Sequence, residues 1–468
     1  MKVTEQAQCA ISFGFAIIID QFKLPSAFPS NVLDDANEAI APKNGSGRPA
    51  WCENRRDVTH LPLVTLDPAS STDLDQAFCL DRDGENLVLH YALADVGAFV
   101  RIGSAIETEA FERGVTIYGL AEKIPLYPKC ISQSAASLLP DGPRPAVLVT
   151  VAVSPSGALL LRGVERVVCQ SQAKLAYDSV DMSKLPYLEE FARRMWMDEQ
   201  ARGAVRVEFP KQEVIVDETA PGGVRLDLLP RKPSESVNAT LSLAANMALG
   251  SLMKEAGVGL FRVMDDPEPR AVNALRRAAH ALGIGWLESE SLRDLQRQMD
   301  PSNLTHQRFL LEARRAGGRA SYAEFSQKKA PWHSAIAATY GHATAPMRRL
   351  ADRYVLDLAC LLVNSEPVPA WLSERIANLP AVMTRCEGKS ASVDRAVIDL
   401  LEAVSLQHRI GEVLEAEVVD ADAGMVQTRD SAIRSRATKL PAVKNGDIVR
   451  VRIDVADPLT RRVRLSVA

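Results

Sequence analysis

Three aspartates fall within nine positions of "TLDPASSTDLDQAF" (residues 65–78): Asp67, Asp73 and Asp75, directly after the apolar run "LPLVTL". Hard cations such as Mg²⁺ take oxygen ligands, and carboxylates gathered on an irregular loop after a strand supply them. Asp73 and Asp75 share a face if that segment is extended, and Asp67 closes the loop from the strand end. Carboxylates held this close repel one another unless a cation offsets their charge. Spacing alone leaves a second reading open, a solvated Asp-rich turn or helix cap. The next residue, Gln76, brings an amide and no charge.

A second cluster lies far along the chain, in "ATYGHATAPMRRLADRY" (residues 338–354). Here a turn at Ala345-Pro346 precedes Arg348 and Arg349 at the head of an expected helix, with His342 and Thr344 beside them. Arginines at a helix N-terminus make a phosphate-binding corner, because guanidinium groups and free backbone N–H groups point the same way. The alternative is an amphipathic helix on which Arg349 pairs with Asp352 three residues on. Asp352 is the only acid in the stretch, so that pairing cannot neutralise both arginines. Taken together, a carboxylate cage and an arginine corner suggest phosphoryl transfer.

The elements that must position these residues follow from periodicity. Two helices, the second near "NVLDDANEAI", are expected before residue 60. Residues 60–155 carry strand signals in "LPLVTL", "NLVLHYALADV" and "AVLVTVAVSPSGALLL", the last broken by a Pro-Ser-Gly turn. From about 185 to 405 helical periodicity dominates. In "PEPRAVNALRRAAHALGIG", Ala271, Leu275, Ala278 and Leu282 recur at helical spacing, and Gly283 ends the run. The tail from Gly411 consists of short alternating strands joined by turn residues, the texture of a small β-barrel of OB type. Its basic residues (Arg429, Arg434, Arg436, Lys439, Lys444, Arg450, Arg452) fit an oligonucleotide-binding face, or a barrel that only packs on the main body.

Composition narrows the partners. At 468 residues the chain should form two or three domains. With 47% apolar and 24% charged residues it is of ordinary globular character. The net charge of −4 means that any polyanion site must concentrate its positive charge locally. Seven scattered cysteines without a CxxC pair argue against a disulfide framework and a zinc site, and suit a reducing, cytoplasmic setting. The run "CAISFGFAIII" is too short to span a bilayer and is expected to be a docking or buried helix.

The stretches "RRDVTHLPLVTLDPASSTDLDQAF", "ADVGAFV", "IPLYPKCISQSAASLLP", "SLAANMA" and "YGHATAPMRRLADR" resemble, in order, the catalytic-domain motifs of the ribonuclease II family. The resemblance runs from about residue 50 to the C-terminus. It implies an α+β fold: an RNB-type catalytic domain of mixed sheet and surrounding helices over 51–408, then an all-β OB-fold barrel over 411–468. It implies an exoribonuclease that hydrolyses single-stranded RNA 3′→5′ to 5′-nucleotides with one or two Mg²⁺ ions, Mn²⁺ serving as a substitute. A monomer with no obligate protein partner and no membrane association is expected. By position, Asp67, Asp73 and Asp75 resemble metal-site aspartates and Arg348 the arginine at the scissile phosphate. Tyr118 looks like the tyrosine that stacks on a base, and Asp394 stands where the family has a glutamate near the RNA. Arg434, Arg436 and Lys439 are the expected RNA contacts of the barrel, whereas Asp95 is expected to be structural.

Three departures from the family pattern stand out. The fourth aspartate is Gln76, whose carbonyl oxygen could still serve a metal without contributing charge. The Glu-Glu pair ahead of "LAAN" is Ala239-Thr240. Residues 1–50 stand as a helical segment where the family has two cold-shock domains.

Overall fold

The structure is a computed structural model, and it describes all residues except 1–4, 42–49, 120–122, 206–210, 217–223, 230, 301–302, 422, 430–432 and 439. A seven-stranded mixed sheet organises the first half of the chain. Its strands are β1 (Arg56–Asp57), β2 (Val64–Asp67), β3 (Gln76–Asp83), β4 (Asn86–Ala94), β7 (Arg144–Val153), β8 (Leu159–Cys169) and β9 (Ala173–Ala176), in the order β1-β8-β7-β4-β3-β2-β9. A small hairpin, β5 (Ile117–Tyr118) with β6 (Lys123–Ile124), stands apart from it.

The central strands are apolar on both faces because both faces are covered. Tyr91, Ala92, Leu93 and Ala94 of β4 are all fully buried, as are Val149, Val151 and Val153 of β7. The β7–β8 turn closes at Gly157, whose φ of +89° and approach to Arg194 O, 2.3 Å from an ideal Cβ, leave room for glycine alone. Strand β2 pairs with β3 only at Val64↔Phe78 and otherwise runs parallel to β9. Because β2 and β3 part so early, the eight residues between Asp67 and Gln76 leave the sheet as a loop. That loop carries Asp73 and Asp75, and Asp67 ends β2 at its root.

The helices are α1 (Glu5–Gln21), α2 (Ser30–Ile40), α3 (Ala105–Arg113), α4 (Leu188–Ala201), α5 (Pro233–Glu255), α6 (Pro269–Ala281), α7 (Leu292–Arg297), α8 (Leu304–Ala316), α9 (Leu350–Val363) and α10 (Ala370–Leu406). Helices α5 and α9 pack against the sheet, and α1 lies along α10. The expected helix at 269–282 is α6. It buries Leu275 and Ala279, packed with Phe309, Leu310 and Leu295 of α8 and α7 in a small separate core. The region read as helical also contains strands: the hairpin of β10 (Lys211–Val216) with β11 (Val224–Leu229), and the pair β12 (Leu260–Val263) with β13 (Ser321–Glu324). Both pairs form through contacts that helical periodicity does not register. Among the described residues no helix is long and apolar enough to cross a membrane.

The tail forms a closed five-stranded barrel of β14 (Val413–Asp420), β15 (Met425–Thr428), β16 (Arg434–Thr438), β17 (Ile448–Asp457) and β18 (Arg462–Val467), in the order β14-β15-β16-β18-β17. Strand β17 closes on β14, and β16 runs parallel to β18, as in an OB fold. Alternation fills its interior with Ala416, Val418, Val426, Val451, Ile453 and Leu465. Arg434 and Arg436 of β16, and Arg450 and Arg452 of β17, point outward. The barrel rests on α10 and is tied to α8 by an Arg308–Glu417 ion pair.

Candidate active site

The aspartate loop is held in shape from below. Leu74 is fully buried, its N–H donates to Ser137 Oγ (2.9 Å), and Ser137 Oγ donates in turn to Thr72 O (2.8 Å). With Leu74 buried, Asp73 and Asp75 flank an anchored residue. Asp75 is only 6% exposed. Its Oδ1 accepts the Met347 N–H at 2.7 Å, and its Oδ2 lies 3.4 Å from Arg348 Nε. Two clusters 272 positions apart thus meet at one carboxylate.

Arg348 and Arg349 have different fates. Arg349 turns inward, donating to Asp352 from Nε (3.2 Å) and Nη2 (2.6 Å), while Asp352 also caps the Ala345 N–H at 2.8 Å. The helix-surface alternative therefore describes Arg349, although the pair is buried. The Arg348 side chain keeps 45% of its surface open. Its backbone is spliced to the segment bearing Tyr118: Thr116 N–H donates to Arg348 O (3.0 Å), Leu350 N–H donates to Gly114 O (2.9 Å), and Val115 bridges to Arg349.

Tyr118, at the end of β5, is 49% exposed. Partial burial pushes its phenol up to about 12, with Arg348 opposing and Asp73 and Asp75 adding to the shift. It therefore stands within the electrostatic reach of the cluster. Asp73 is paired with Lys123 of β6, on the same hairpin. Burial raises Asp67 to about 6 and Asp75 to about 7, and in both cases Arg348 is the largest opposing influence. A buried carboxylate whose proton affinity rises in this way lacks full positive compensation.

That environment is the one a divalent cation relieves, and the all-oxygen donor set suits a hard ion. Among the described residues, no three His, Cys, Asp or Glu side chains are already gathered at ligand spacing. Asp73 faces Lys123 and Asp75 faces Arg348, so cation binding would exchange these partners for the ion.

Gln76 lies at the edge of the cluster, but its amide is committed within the protein. Nε2 donates to Thr344 O, and Oε1 accepts from Tyr91 Oη and from Ser242 Oγ (3.3 Å). Asp394 is an exposed residue of α10. Arg434 and Arg436 are exposed on the barrel, donating to Gln427 Oε1 (2.7 Å) and Ala423 O (3.0 Å), and Lys439 lies outside the described residues. Asp95 is buried between Arg55 (2.5 Å) and Arg166 (3.3 Å).

Sequence reasoning passed over Asn246. This α5 residue is 1% exposed. Its Oδ1 accepts from Ala343 N–H (2.9 Å), and its Nδ2 donates to Tyr340 Oη (3.0 Å) and Thr344 Oγ1 (3.2 Å). An amide set among small apolar residues in "SLAANMALG" was the available signal, since a buried polar group must find partners.

Behind this loop, Tyr322, His342, Tyr340 and His333 stack edge to face, with Tyr322 Oη 2.8 Å from His342 Nδ1. Burial, then the charge of Arg262, lowers His333 to about 4, and burial with Arg349 holds His342 well below its ordinary value. His333 is therefore neutral in the fold, while in the unfolded chain it takes up a proton near pH 6.5. Its contribution to stability is complete above that pH and declines on acidification by about 1.4 kcal/mol per unit until about pH 4. Urea unfolding of wild type and His333→Gln at pH 7.5 and 5.0 should show the difference moving against wild type by about 2 kcal/mol. A pH-independent difference would refute a neutral buried imidazole.

The RNB domain matches residues 55–361. Ribonuclease R of Thermotoga maritima is 26% identical over 444 residues, covering 88% of this chain and 61% of that protein. The chain thus spans about three fifths of that relative's length. The structure of Mycoplasma genitalium RNase R in complex with ribose methylated single-stranded RNA aligns with a TM-score of 0.85 at 19% identity, over 96% of this chain and 77% of that one. Yeast Ssd1, described as a pseudonuclease, aligns with a TM-score of 0.66 at 14% identity, over 90% of this chain and 53% of that one.

Proposed function

The chain belongs to the RNB domain family, and from that premise we propose that it is a metal-dependent hydrolytic exoribonuclease. It shortens single-stranded RNA 3′→5′ and releases 5′-nucleoside monophosphates. The observation that carries the reading is the meeting of Asp75 with Arg348 beside Asp67, Asp73 and the half-open Tyr118 ring.

Asp67, Asp73 and Asp75 would hold Mg²⁺, with Mn²⁺ as a substitute. When bound, Mg²⁺ supplies a water of lowered proton affinity and offsets charge on the leaving oxygen. Arg348, open on one side and 3.4 Å from Asp75 on the other, can swing its guanidinium onto the scissile phosphate. Asp75 orients the attacking water through whichever oxygen the Met347 N–H does not occupy. Tyr118 offers a ring on which the terminal base stacks. Arg434 and Arg436 give the incoming strand a positive, outward-facing track on the barrel. In this division, residues 51–408 carry the chemistry and 411–468 contribute RNA binding, in a monomer working in the cytoplasm.

A 5′-labelled oligoribonucleotide incubated with Mg²⁺ should shorten stepwise to one short product, releasing nucleoside 5′-monophosphates, and EDTA should stop it. Intact RNA accompanied by a gel shift would favour the second reading, an RNA-binding protein on the same fold without turnover. Gln76 in place of a carboxylate, and the likeness to a pseudonuclease, keep that reading specific.

A further inference from the structure

We propose that Gln76 is a positioning residue: its amide splices the end of the aspartate loop, where β3 begins, to the loop bearing Arg348, and it does not serve as a metal ligand. The activity readout of this proposal rests on the exoribonuclease reading above; its other readouts do not.

Gln76 is the first residue of β3 and follows Asp75 directly. Its amide reaches three separate elements. Nε2 donates to the carbonyl of Thr344 in the arginine loop, and Oε1 takes the hydroxyls of Tyr91 on β4 and Ser242 on α5. Those two hydroxyls lie 2.8 Å from each other, so both converge on one oxygen. The Thr344 carbonyl can only accept, which fixes the nitrogen toward the loop and the oxygen toward the hydroxyls. Once so oriented, the oxygen is occupied by two hydroxyl donors.

The loop is gripped from its other side by the second amide, Asn246. It holds the Ala343 N–H and the side chains of Tyr340 and Thr344. Thr344 is 2% exposed, so its carbonyl has no water to turn to if Gln76 is lost. Three residues later the chain delivers the Met347 N–H and Arg348 to Asp75. Asp75 and Gln76, adjacent in sequence, therefore pin the same loop at two points. A carboxylate at position 76 would set oxygen against the Thr344 carbonyl and could donate nothing. The amide and the seat of the loop belong together.

The test uses the full chain with Gln76→Ala and Gln76→Glu, the second keeping both acceptor contacts and serving if the first does not fold. Each should lower kcat by about 10–100-fold through misplacement of Arg348, with any loss of affinity for single-stranded RNA no larger than that of Arg348→Ala. Neither should cause further loss on an Arg348→Ala background. Mn²⁺ affinity, measured by calorimetry on the RNA-free protein, should stay within about threefold, and amide exchange across residues 340–349 should accelerate about tenfold. Mn²⁺ binding tightened tenfold by Gln76→Glu, or weakened tenfold by Gln76→Ala, would make Gln76 a ligand and overturn the proposal. Additivity with Arg348→Ala, or unchanged exchange, would overturn it as well. A wild type without turnover sinks the exoribonuclease reading alone, because metal affinity and exchange still decide the splice.

Discussion

Asp75→Asn should lower RNA turnover by at least roughly 10³-fold while leaving RNA affinity within about threefold. The substitution is nearly isosteric, and the amide oxygen can still accept the Met347 N–H that now bonds Oδ1 at 2.7 Å. What disappears is the charge, and with it both the attraction for a divalent ion and the counter-charge 3.4 Å from Arg348 Nε. Stability should not fall. Burial pushes this carboxyl up to about 7, so the fold tolerates the ionised form poorly and loses little when a neutral amide replaces it. The thermal midpoint should therefore hold or rise as activity collapses. A variant that keeps a tenth or more of wild-type kcat would remove Asp75 from the chemistry. A fall in both midpoint and affinity would instead mark the residue as structural.

Arg348→Ala should cost roughly 10³-fold in turnover, the scale on which an arginine stabilises a transferring phosphoryl group. Unlike Asp75, this side chain should also weaken RNA binding and reduce its salt dependence, because it is 45% open and available to a phosphate in the ground state. Arg348→Lys should be intermediate. A point charge keeps part of the attraction but loses the two-pronged geometry of the guanidinium. Arg349 is the informative control. Its guanidinium is closed onto buried Asp352, so Arg349→Ala should lower the thermal midpoint without reproducing the salt signature. Equal salt slopes for wild type and Arg348→Ala would contradict the phosphate contact.

What could be read from the chain, and what could not, divides along sequence distance. The strand runs around "NLVLHYALADV" and "AVLVTVAVSPSGALLL", helix α6 and the barrel tail were legible because each obeys a local period that burial then enforces. The β12–β13 pair was not, since its strands are decided by partners about 60 positions apart, and the hairpin of 211–229 was missed because it is a short local pair set inside a largely helical region. The same holds for the site. Residue type marked Asp67, Asp73, Asp75 and Arg348 as chemically loaded. Nothing local said that Asp73 would face Lys123, 50 positions on, or that Gln76 would bond Thr344, 268 positions on. Gln76 reads as a possible uncharged ligand because it stands where the family pattern has a fourth aspartate. Its actual partners are a carbonyl and two hydroxyls that only the fold delivers.

The backbone splice between residues 114–116 and 348–350 joins the arm that carries Tyr118 to the arm that carries Arg348. On the proposed reading, the stacking ring and the phosphate clamp are then parts of a single caliper. Its jaw opening is set by main-chain hydrogen bonds and is insensitive to which base enters. Loosening that splice would move ring and guanidinium relative to one another without touching either side chain.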